Sequence, residues 1–359
     1  MITVAIIGAG IGREHLNGYL ALPDLYRVKT LCDLDEARAH DVLDEVTGDT
    51  NSITVSSDMQ SVLADADVDL IDVCLPPHLH FPVSRDAMLA GKHVVCEKPL
   101  VPSLADADAL IDIAADTNRI LSPVFQYRFG PAMSQLQALQ DAGLTGAAYA
   151  ASLETHWNRD AAYYAVPWRG TWEGENGGAV LGHAIHNHDL LTTIMGPIES
   201  LSATTNTLVN AIEVEDCAAI SFRMKNGSVA TSSITLGAAS DTSRLRIVFE
   251  KLTAESGSAP YAPATDTWTF TARDPADQAQ VDAVVASVGD VRAGFAGFFA
   301  ELANHINGAP HRAVTIMDGR RSIELVAAIY QSAREGRAIT LPLGRSTPLY
   351  QGWAPARHP

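Results

Sequence analysis

A lysine in an apolar setting is the first candidate for chemistry in this chain. The 25 basic residues comprise five lysines and twenty arginines, and Lys98 follows an apolar run at residues 94–96 and precedes Pro99. A lysine at the carboxyl end of a buried strand lies where open α/β sheets bind ligands. Its amine could keep its charge beside a substrate oxygen or lose it through desolvation. Taken alone, an exposed lysine that closes a strand is the better interpretation.

A glycine-rich turn follows the first β-branched run of the chain, at residues 3–7. Gly8, Gly10 and Gly12 form this turn, and Asp33 ends the second predicted strand, twenty-one residues after Gly12. Glycines let the backbone approach a pyrophosphate, whose charge is met by the amides at the N-terminus of the next helix. The third glycine comes one residue earlier than in G-x-G-x-x-G, so the turn should be tighter.

Asp33 indicates which dinucleotide the turn would bind. A carboxylate at this place is the acceptor expected for a ribose 2′-hydroxyl. Asp35 adds a second negative charge, and no arginine follows closely enough to prefer a 2′-phosphate. The sequence therefore predicts NAD as the cofactor, with NADP as the weaker candidate.

The elements that would position these residues alternate between strand and helix over residues 1–125. Strands are predicted at residues 3–7, 28–32, 70–75, 93–96 and 120–125, and helices at 16–22, 34–46, 81–90 and 104–117. This rhythm predicts an α/β fold with a doubly wound parallel sheet and right-handed crossovers. Lys98 would then follow the fourth of these strands.

The pattern changes after about residue 130, which predicts a second domain at residues 126–359. Alternating runs occur at residues 147–156, 198–209, 217–224, 228–236, 245–249 and 267–271, and helices are predicted at 132–142, 179–195, 295–306 and 317–334. Lys225-Asn226-Gly227 reads as a hairpin turn. We expect an α+β domain with a large, mostly antiparallel open sheet. Residues 251–288 are interpreted as irregular, and the final helices could pack back on the first domain.

Composition limits the classes of partner. The net charge of −17 argues against nucleic acid and anionic membranes. No apolar run approaches the roughly 20 residues that a transmembrane helix needs. The N-terminus enters an apolar strand without a basic segment, so it is not a signal peptide. Four scattered cysteines favour a reducing compartment without disulfides. The expectation is a cytoplasmic protein.

Four segments together resemble the Gfo/Idh/MocA family of sugar oxidoreductases. They are the loop at residues 8–15, Cys74-Leu75-Pro76-Pro77-His78-Leu79-His80, Glu97-Lys98-Pro99, and the histidine-rich stretch at residues 177–189. Residues 126–131 also resemble the family's junction between domains. The resemblance implies an N-terminal Rossmann domain that binds NAD and a C-terminal domain whose open sheet often forms an oligomer interface. A homodimer or homotetramer is therefore expected.

By that resemblance, Lys98 and His186 are the catalytic residues, and Lys98 precedes a cis proline. Asp189 comes three residues after His186, so the two share one helix face. The family usually has Asp or Asn where this chain has Gly182. Either His183 or a water substitutes, or the chemistry relies on Lys98 and His186 alone.

The resemblance also implies two sets of binding residues. The cofactor contacts are Gly8, Gly10, Ile11, Gly12, Asp33, Leu75, Pro76, His80, Glu97, Lys98 and Gln126. The substrate contacts are Lys98, Arg128, Tyr164, Trp168, Arg169, His183, His186 and Asp189. No metal is expected, because the histidines lack the spacing of common zinc motifs.

The segment at residues 156–172 is rich in aromatic residues and arginines. Aromatic faces and guanidinium donors suit a polyhydroxylated ring, which offers C–H surface for stacking and hydroxyls for hydrogen bonds. The alternative is an aromatic loop packed as core or as a subunit contact, and for Trp157 and Trp172 the two interpretations are equally good. A carbohydrate or polyol is therefore the predicted substrate.

The leading hypothesis is an NAD-dependent dehydrogenase acting on a secondary hydroxyl of a sugar, inositol or sugar derivative. A hydride goes to the nicotinamide, His186 takes the hydroxyl proton, and Lys98 hydrogen-bonds the same oxygen. One alternative is a glycosidase or isomerase that retains NAD on the same scaffold. Another is a non-catalytic regulator that senses NAD or a sugar.

Overall fold

The computed structural model describes residues 1–355, so the last four residues of the second predicted domain, 356–359, lie outside the described range. The N-terminal part forms a parallel sheet of six strands in the order β3-β2-β1-β4-β5-β6. The strands are β1 (Ile2–Ile7), β2 (Tyr26–Cys32), β3 (Thr54–Ser56), β4 (Leu70–Val73), β5 (His93–Cys96) and β6 (Leu121–Pro123). Between them lie α1 (Ala9–Leu20), α2 (Glu36–Glu45), α3 (Met59–Ala64), α4 (His80–Leu89) and α5 (Leu104–Thr117).

This arrangement confirms the predicted doubly wound sheet. Every residue of β1 and β4 is buried, as expected for parallel strands covered on both faces. Strand β1 pairs with β4, and β4 pairs with β5, all in parallel. The residues that follow these three strands therefore meet at one edge of the sheet. The short β3 and α3 were not predicted, because three and six residues are too few to show a period.

The second sheet has eight strands in the order β13-β12-β11-β7-β10-β9-β8-β14, and only β7 and β10 pair in parallel. The strands are β7 (Ala148–Asn158), β8 (Ile198–Asn206), β9 (Cys217–Met224), β10 (Val229–Thr235), β11 (Gly237–Phe249), β12 (Leu252–Glu255), β13 (Thr269–Ala272) and β14 (Ile339–Thr340). The predicted hairpin at Lys225-Asn226-Gly227 joins β9 to β10. A large, mostly antiparallel sheet is thus confirmed.

Seven further helices complete the described chain. They are α6 (Pro131–Asp141), α7 (Trp172–Glu175), α8 (Ala179–Gly182), α9 (Ile185–Met195), α10 (Gln278–Ser287), α11 (Gly294–Ile306) and α12 (Ile316–Glu335). Among residues 1–355, no helix is both long and apolar enough to cross a membrane.

Two of the predicted elements were wrong. The helix expected at residues 179–195 is interrupted between α8 and α9, where the amide of Ala184 donates to the carbonyl of Ala179, five residues back. Residues 251–288 are not irregular, because they contain β12, β13 and α10. Strand β12 is specified by its pairing with β11. The alanine- and serine-rich sequence around this short strand does not indicate that pairing.

The chain divides into two compact units. The first comprises Met1–Gln126 with Gly294–Ile323, and the second comprises Tyr127–Ala293 with the residues from Glu324 onward. Helix α11 belongs to the first unit, where the ring of Phe299 stacks on Tyr19 with centroids 3.8 Å apart. The hydroxyl of Tyr26 donates to the carbonyl of Phe299 at 2.7 Å. An aromatic contact therefore fixes α11 against α1 and β2.

Replacing Phe299 with alanine should destabilise the protein. The side chain is fully buried, and truncating such a phenylalanine lowers the free energy of unfolding by about 3–5 kcal/mol. Leu89→Ala is the control, because Leu89 is 64% exposed and should change it by less than about 0.5 kcal/mol. Urea unfolding followed by circular dichroism measures both. Equal losses in the two variants would contradict this packing.

Candidate functional site

The glycine turn lies at the carboxyl edge of the parallel sheet, between β1 and α1. Gly8 has a φ of 105°, and a Cβ there would lie 2.2 Å from the carbonyl oxygen of Cys74. Only glycine fits this position. A Cβ on Gly12 would lie 3.0 Å from Cγ2 of Ile6, so the third glycine lets α1 pack closely on β1.

The N-terminus of α1 is suited to an anion. Gly8 gives no side-chain cap, the first turn contains no acidic residue, and Gly10 and Ile11 are exposed. The first amides of a helix have no partner within it and carry the positive end of the helix dipole. These residues therefore fit the pyrophosphate of NAD, as the spacing of the glycines predicts.

Asp33 follows β2 and is buried. Its Oδ2 accepts from the amide of Ala9 at 2.7 Å, and its Oδ1 accepts from the amide of Asp35 at 2.9 Å. Burial raises the pKa of Asp33, but the amides and the guanidinium of Arg38 lower it by more, so it falls below its usual value. The carboxylate is thus ionised and held at the place expected for a ribose acceptor.

Arg38 corrects the expectation that no arginine stands close to Asp33. Its Nη2 lies 2.6 Å from Oδ1 and 2.5 Å from Oδ2 of Asp33. The first turn of α2 brings residue 38 back over the end of β2, which spacing along the chain does not show. Arg38 is 55% exposed while Asp33 is 3% exposed. A guanidinium therefore stands at the edge of the ribose position, neutralised by the carboxylate.

The loop after β4 carries Leu75 and Pro76, and His80 anchors it. The two ring nitrogens of His80 lie 2.7 Å from the carbonyl oxygens of Leu75 and Pro99. Burial lowers the pKa of His80, and the ring is fully buried. His80 thus ties the loop after β4 to the segment after β5 and does not face solvent.

Lys98 and Glu97 follow β5 at the same edge. The Lys98–Pro99 peptide bond is cis, as the family resemblance implies. Oε2 of Glu97 accepts from the amide of Lys98 at 2.9 Å, and its Oε1 lies 3.1 Å from Nε2 of His15. Gln126, the last cofactor candidate, begins a half-buried turn after β6.

In the second unit, α9 carries His186 and Asp189, and residues 127–128 contact both. The ring of Tyr127 stacks on His186 with centroids 4.4 Å apart. Arg128 donates from Nε and Nη2 to the two oxygens of Asp189 at 2.7 and 2.5 Å. The structure thus brings Arg128, His186 and Asp189 together, with the carboxylate of Asp189 bound to Arg128.

The neighbouring histidines differ in their surroundings. His188 is buried, its Nε2 lies 3.0 Å from the Ser232 hydroxyl, and burial lowers its pKa to about 4. That is the environment of a neutral structural histidine. His183 lies edge-on to Trp157, with centroids 5.2 Å apart. Gly182 ends α8 and His186 belongs to α9, so the two residues do not lie on one continuous helix.

The aromatic segment forms a stack of rings and guanidinium groups. The guanidinium of Arg169 lies 3.9 Å from the ring centroid of Tyr163. That of Arg159 lies 4.9 Å from Trp157 and 5.1 Å from Tyr163, and it pairs with Asp241 at 3.0 Å. Alternating cations and aromatic faces attract one another. The stack is therefore a rigid polar and aromatic surface near His183.

The other residues of this segment divide between a surface for a substrate ring and an aromatic loop packed as core. Tyr164 contacts the ring of Tyr163 with centroids 5.0 Å apart, and Trp168 is 47% exposed. Trp157 is buried and donates to Ser243 at 3.2 Å, and Trp172 packs edge-on to Tyr330. The two tryptophans that left both interpretations open are thus packed against neighbours, whereas Trp168 faces solvent.

Sequence reasoning assigned no role to His15 or Asp72. The signal was present, because Asp72 is the charged residue within the otherwise apolar run Leu70–Val73. Among residues 1–355, one group of side chains has potential metal-ligand atoms within 4.8 Å of one another. The group comprises His15, Asp72 and Cys74. These atoms lie 2.8 to 3.4 Å apart, at hydrogen-bond distances from one another.

Asp33→Ser should increase the affinity for NADPH. Serine removes the charge that repels a 2′-phosphate and releases Arg38 to bind it. One charge-assisted hydrogen bond contributes about 1.5–3 kcal/mol, which corresponds to roughly tenfold or more in Kd. Titration followed by NADPH fluorescence measures it. The control is Asp33→Ser with Arg38→Ala, which should lose the gain. No gain in the single variant would contradict a role for Arg38.

Two family models match the chain. Residues 2–125 match the family model described as "Oxidoreductase family, NAD-binding Rossmann fold". Residues 133–255 match the "GFO/IDH/MocA C-terminal domain". NAD is therefore the dinucleotide of this Rossmann domain.

Two curated relatives align with part of the chain. An uncharacterized oxidoreductase from Synechocystis is 28% identical over 247 residues, which is 63% of this chain and 63% of the relative. Levoglucosan dehydrogenase from Pseudarthrobacter phenanthrenivorans is 25% identical over 214 residues, which is 58% of this chain and 55% of that enzyme. The aligned region thus spans somewhat less than two thirds of either relative.

A solved structure covers more of the chain. The WlbA dehydrogenase from Bordetella pertussis, in complex with NADH and UDP-GlcNAcA, superposes with a TM-score of 0.80 at 26% identity, over 96% of this chain and 99% of that one. Since both family models match in order and together cover most of the sequence, the chain belongs to the Gfo/Idh/MocA family of oxidoreductases.

Proposed function

We propose that this protein is an NAD-dependent dehydrogenase that oxidises a secondary hydroxyl of a sugar, inositol or sugar derivative. The observation that carries the proposal is that three candidate segments lie at the same carboxyl edge of the parallel sheet. The glycine turn follows β1, Leu75 follows β4, and Lys98 follows β5. Dinucleotide sites in open α/β sheets form at the carboxyl ends of the strands, so a lysine amine shares an edge with the pyrophosphate site.

NAD, when bound, supplies the hydride acceptor. The substrate carbinol loses the hydride from carbon and the proton from oxygen, so its C–O bond becomes a carbonyl. In the proposal, His186 accepts the proton and Lys98 donates a hydrogen bond to the same oxygen. The stacking of Tyr127 fixes the plane of the His186 ring.

Support for a carbohydrate or polyol substrate comes from the second unit. Tyr163 and the exposed Trp168 offer aromatic faces, and Arg169 between them offers guanidinium donors, which suits a ring bearing hydroxyls. Two of the similar proteins are associated with sugar compounds: one is levoglucosan dehydrogenase, and the other is the WlbA dehydrogenase in complex with UDP-GlcNAcA.

A homodimer or homotetramer stays a prediction, and one face of the second sheet supports it. Along β9 and β10, alternate residues are buried while the residues between them are exposed. The exposed set is mostly small or polar, as at Ala219, Ser221, Thr231 and Ser233, and it includes one exposed valine, Val229. This face has the open, flat form that a second copy could cover.

Lys98→Ala should lower turnover by roughly 10² to 10⁴-fold, since a positioned proton-transfer group contributes that much. NAD⁺ should still bind, because the glycine turn and Asp33 are untouched. The substrate is first found by screening sugars, sugar acids and polyols with NAD⁺ while following NADH absorbance. Turnover of that substrate and binding of NAD⁺ are then measured for the variant.

Lys225→Ala is the matched control, because Lys225 lies exposed in the β9–β10 hairpin. It should match the wild type. Near-wild-type turnover in Lys98→Ala would contradict the role of Lys98. Release of p-nitrophenol from nitrophenyl glycosides without net NADH would instead support a glycosidase that retains NAD. Binding of NAD⁺ without turnover of any compound would support a regulator.

A further inference from the structure

The first unit buries a chain of ionisable side chains next to Lys98. His15, on α1, is fully buried. Its Nδ1 lies 2.8 Å from Oδ2 of Asp72, and its Nε2 lies 3.1 Å from Oε1 of Glu97. Asp72 is also fully buried, and Glu97 is 7% exposed. One imidazole thus bridges two buried carboxylates that come from β4 and from the end of β5.

Carboxylate oxygens face both ring nitrogens of His15, which favours a proton on each of them. A neutral imidazole carries a single N–H and would point a lone pair at one of the carboxylates. With both protons present, each contact is a charge-assisted hydrogen bond. Burial lowers the pKa of His15, but the charge of Asp72 opposes this and leaves the pKa well above its ordinary value.

The remaining titratable groups around His15 are neutral. The Cys74 thiol lies 3.3 Å from Nδ1 of His15 and 3.4 Å from Oδ1 of Asp72, and burial raises its pKa. Burial likewise raises the pKa of the phenols of Tyr19 and Tyr26. Phe295 and Phe299 of α11 cover the His15 ring. The carboxyl groups of Asp72 and Glu97 are thus the partners of the two ring nitrogens of His15.

Glu97 connects this cluster to Lys98. One carboxylate oxygen faces His15, and the other accepts from the backbone amide of Lys98 at 2.9 Å. The Glu97 side chain is thus held at both ends. Glu97 fixes the backbone amide of Lys98, and His15 fixes the side chain of Glu97. His15 therefore also fixes the backbone position from which the Lys98 side chain extends.

We propose that His15 and Glu97 are positioning residues for Lys98. Through Glu97, the buried imidazolium sets the backbone from which the lysine amine reaches the substrate oxygen. Neither residue needs to touch the substrate for this role. The inference rests on the proposed function, because it gives Lys98 the role assigned there.

The test is a double-mutant cycle between Glu97 and Lys98. Glu97→Ala should lower kcat by roughly 10²-fold, since a small misplacement of a catalytic group can cost that much. The variant should still bind NAD⁺, because the glycine turn and Asp33 are untouched. In a Lys98→Ala background, Glu97→Ala should lower kcat no further, because its effect passes through Lys98. An equal loss in both backgrounds would show a general structural role and overturn the proposal.

Two conservative comparisons sharpen the test. Glu97→Gln keeps an oxygen for the Lys98 amide and an N–H for Nε2 of a neutral His15, so it should recover at least roughly tenfold of the kcat lost in Glu97→Ala. His15→Leu should behave as Glu97→Ala does. The control is Glu14→Ala, which removes an exposed neighbour on the same helix and should match the wild type. No recovery by glutamine would overturn the proposal.

The outcomes separate this inference from the proposed function. If Lys98→Ala keeps wild-type turnover, the role of Lys98 fails and the inference fails with it. If Lys98→Ala loses turnover while Glu97→Ala and His15→Leu keep it, only the inference fails. Should His15→Leu not fold, which NAD⁺ titration and circular dichroism would reveal, the Glu97 variants decide the question.

Discussion

The first unit depends on a buried cluster of ionisable side chains in which the imidazole of His15 is held between the carboxylates of Asp72 and Glu97. Removing one partner of a buried ion pair leaves an uncompensated charge and costs roughly 3–5 kcal/mol. The three residues come from α1, β4 and the end of β5. The same interaction therefore holds the helix that begins at the glycine turn and the strand end that carries Lys98. The proposed NAD chemistry depends on both.

The second unit follows the same rule with different groups. Arg128 and Asp189 form a part-buried, bidentate ion pair, and Tyr127 stacks on His186. Side chains held in this way lose little rotational freedom when a substrate binds, which is how positioned groups gain their effect. In the first unit, the proposed catalytic residue Lys98 is thus aligned by the adjacent Glu97. In the second unit, His186 is aligned by Tyr127, which the fold brings close to it.

The sequence predicted the features that depend on local pattern. Strand and helix periods, the glycine turn and the acid at the end of β2 all appear within short windows, and the parallel sheet follows from them. It did not predict contacts between distant residues, such as those of His15 with residues 57 and 82 positions away. The break between α8 and α9 was missed because no proline marks it and a single glycine, Gly182, is tolerated inside a helical pattern. Arg38 was missed because a helical turn, rather than chain distance, brings it to Asp33.

The charge of His15 can be measured by nuclear magnetic resonance of protein labelled with ¹⁵N in its histidine rings. The chain has 12 histidines, so the His15 signals are assigned by their absence in a His15→Gln variant. A raised pKa means that the cation persists as the pH rises past the ordinary histidine value of about 6.5. We expect both ring nitrogens of His15 to stay protonated from about pH 6 to about pH 8. Signals of a neutral tautomer at about pH 8, or titration near about 6.5, would contradict it.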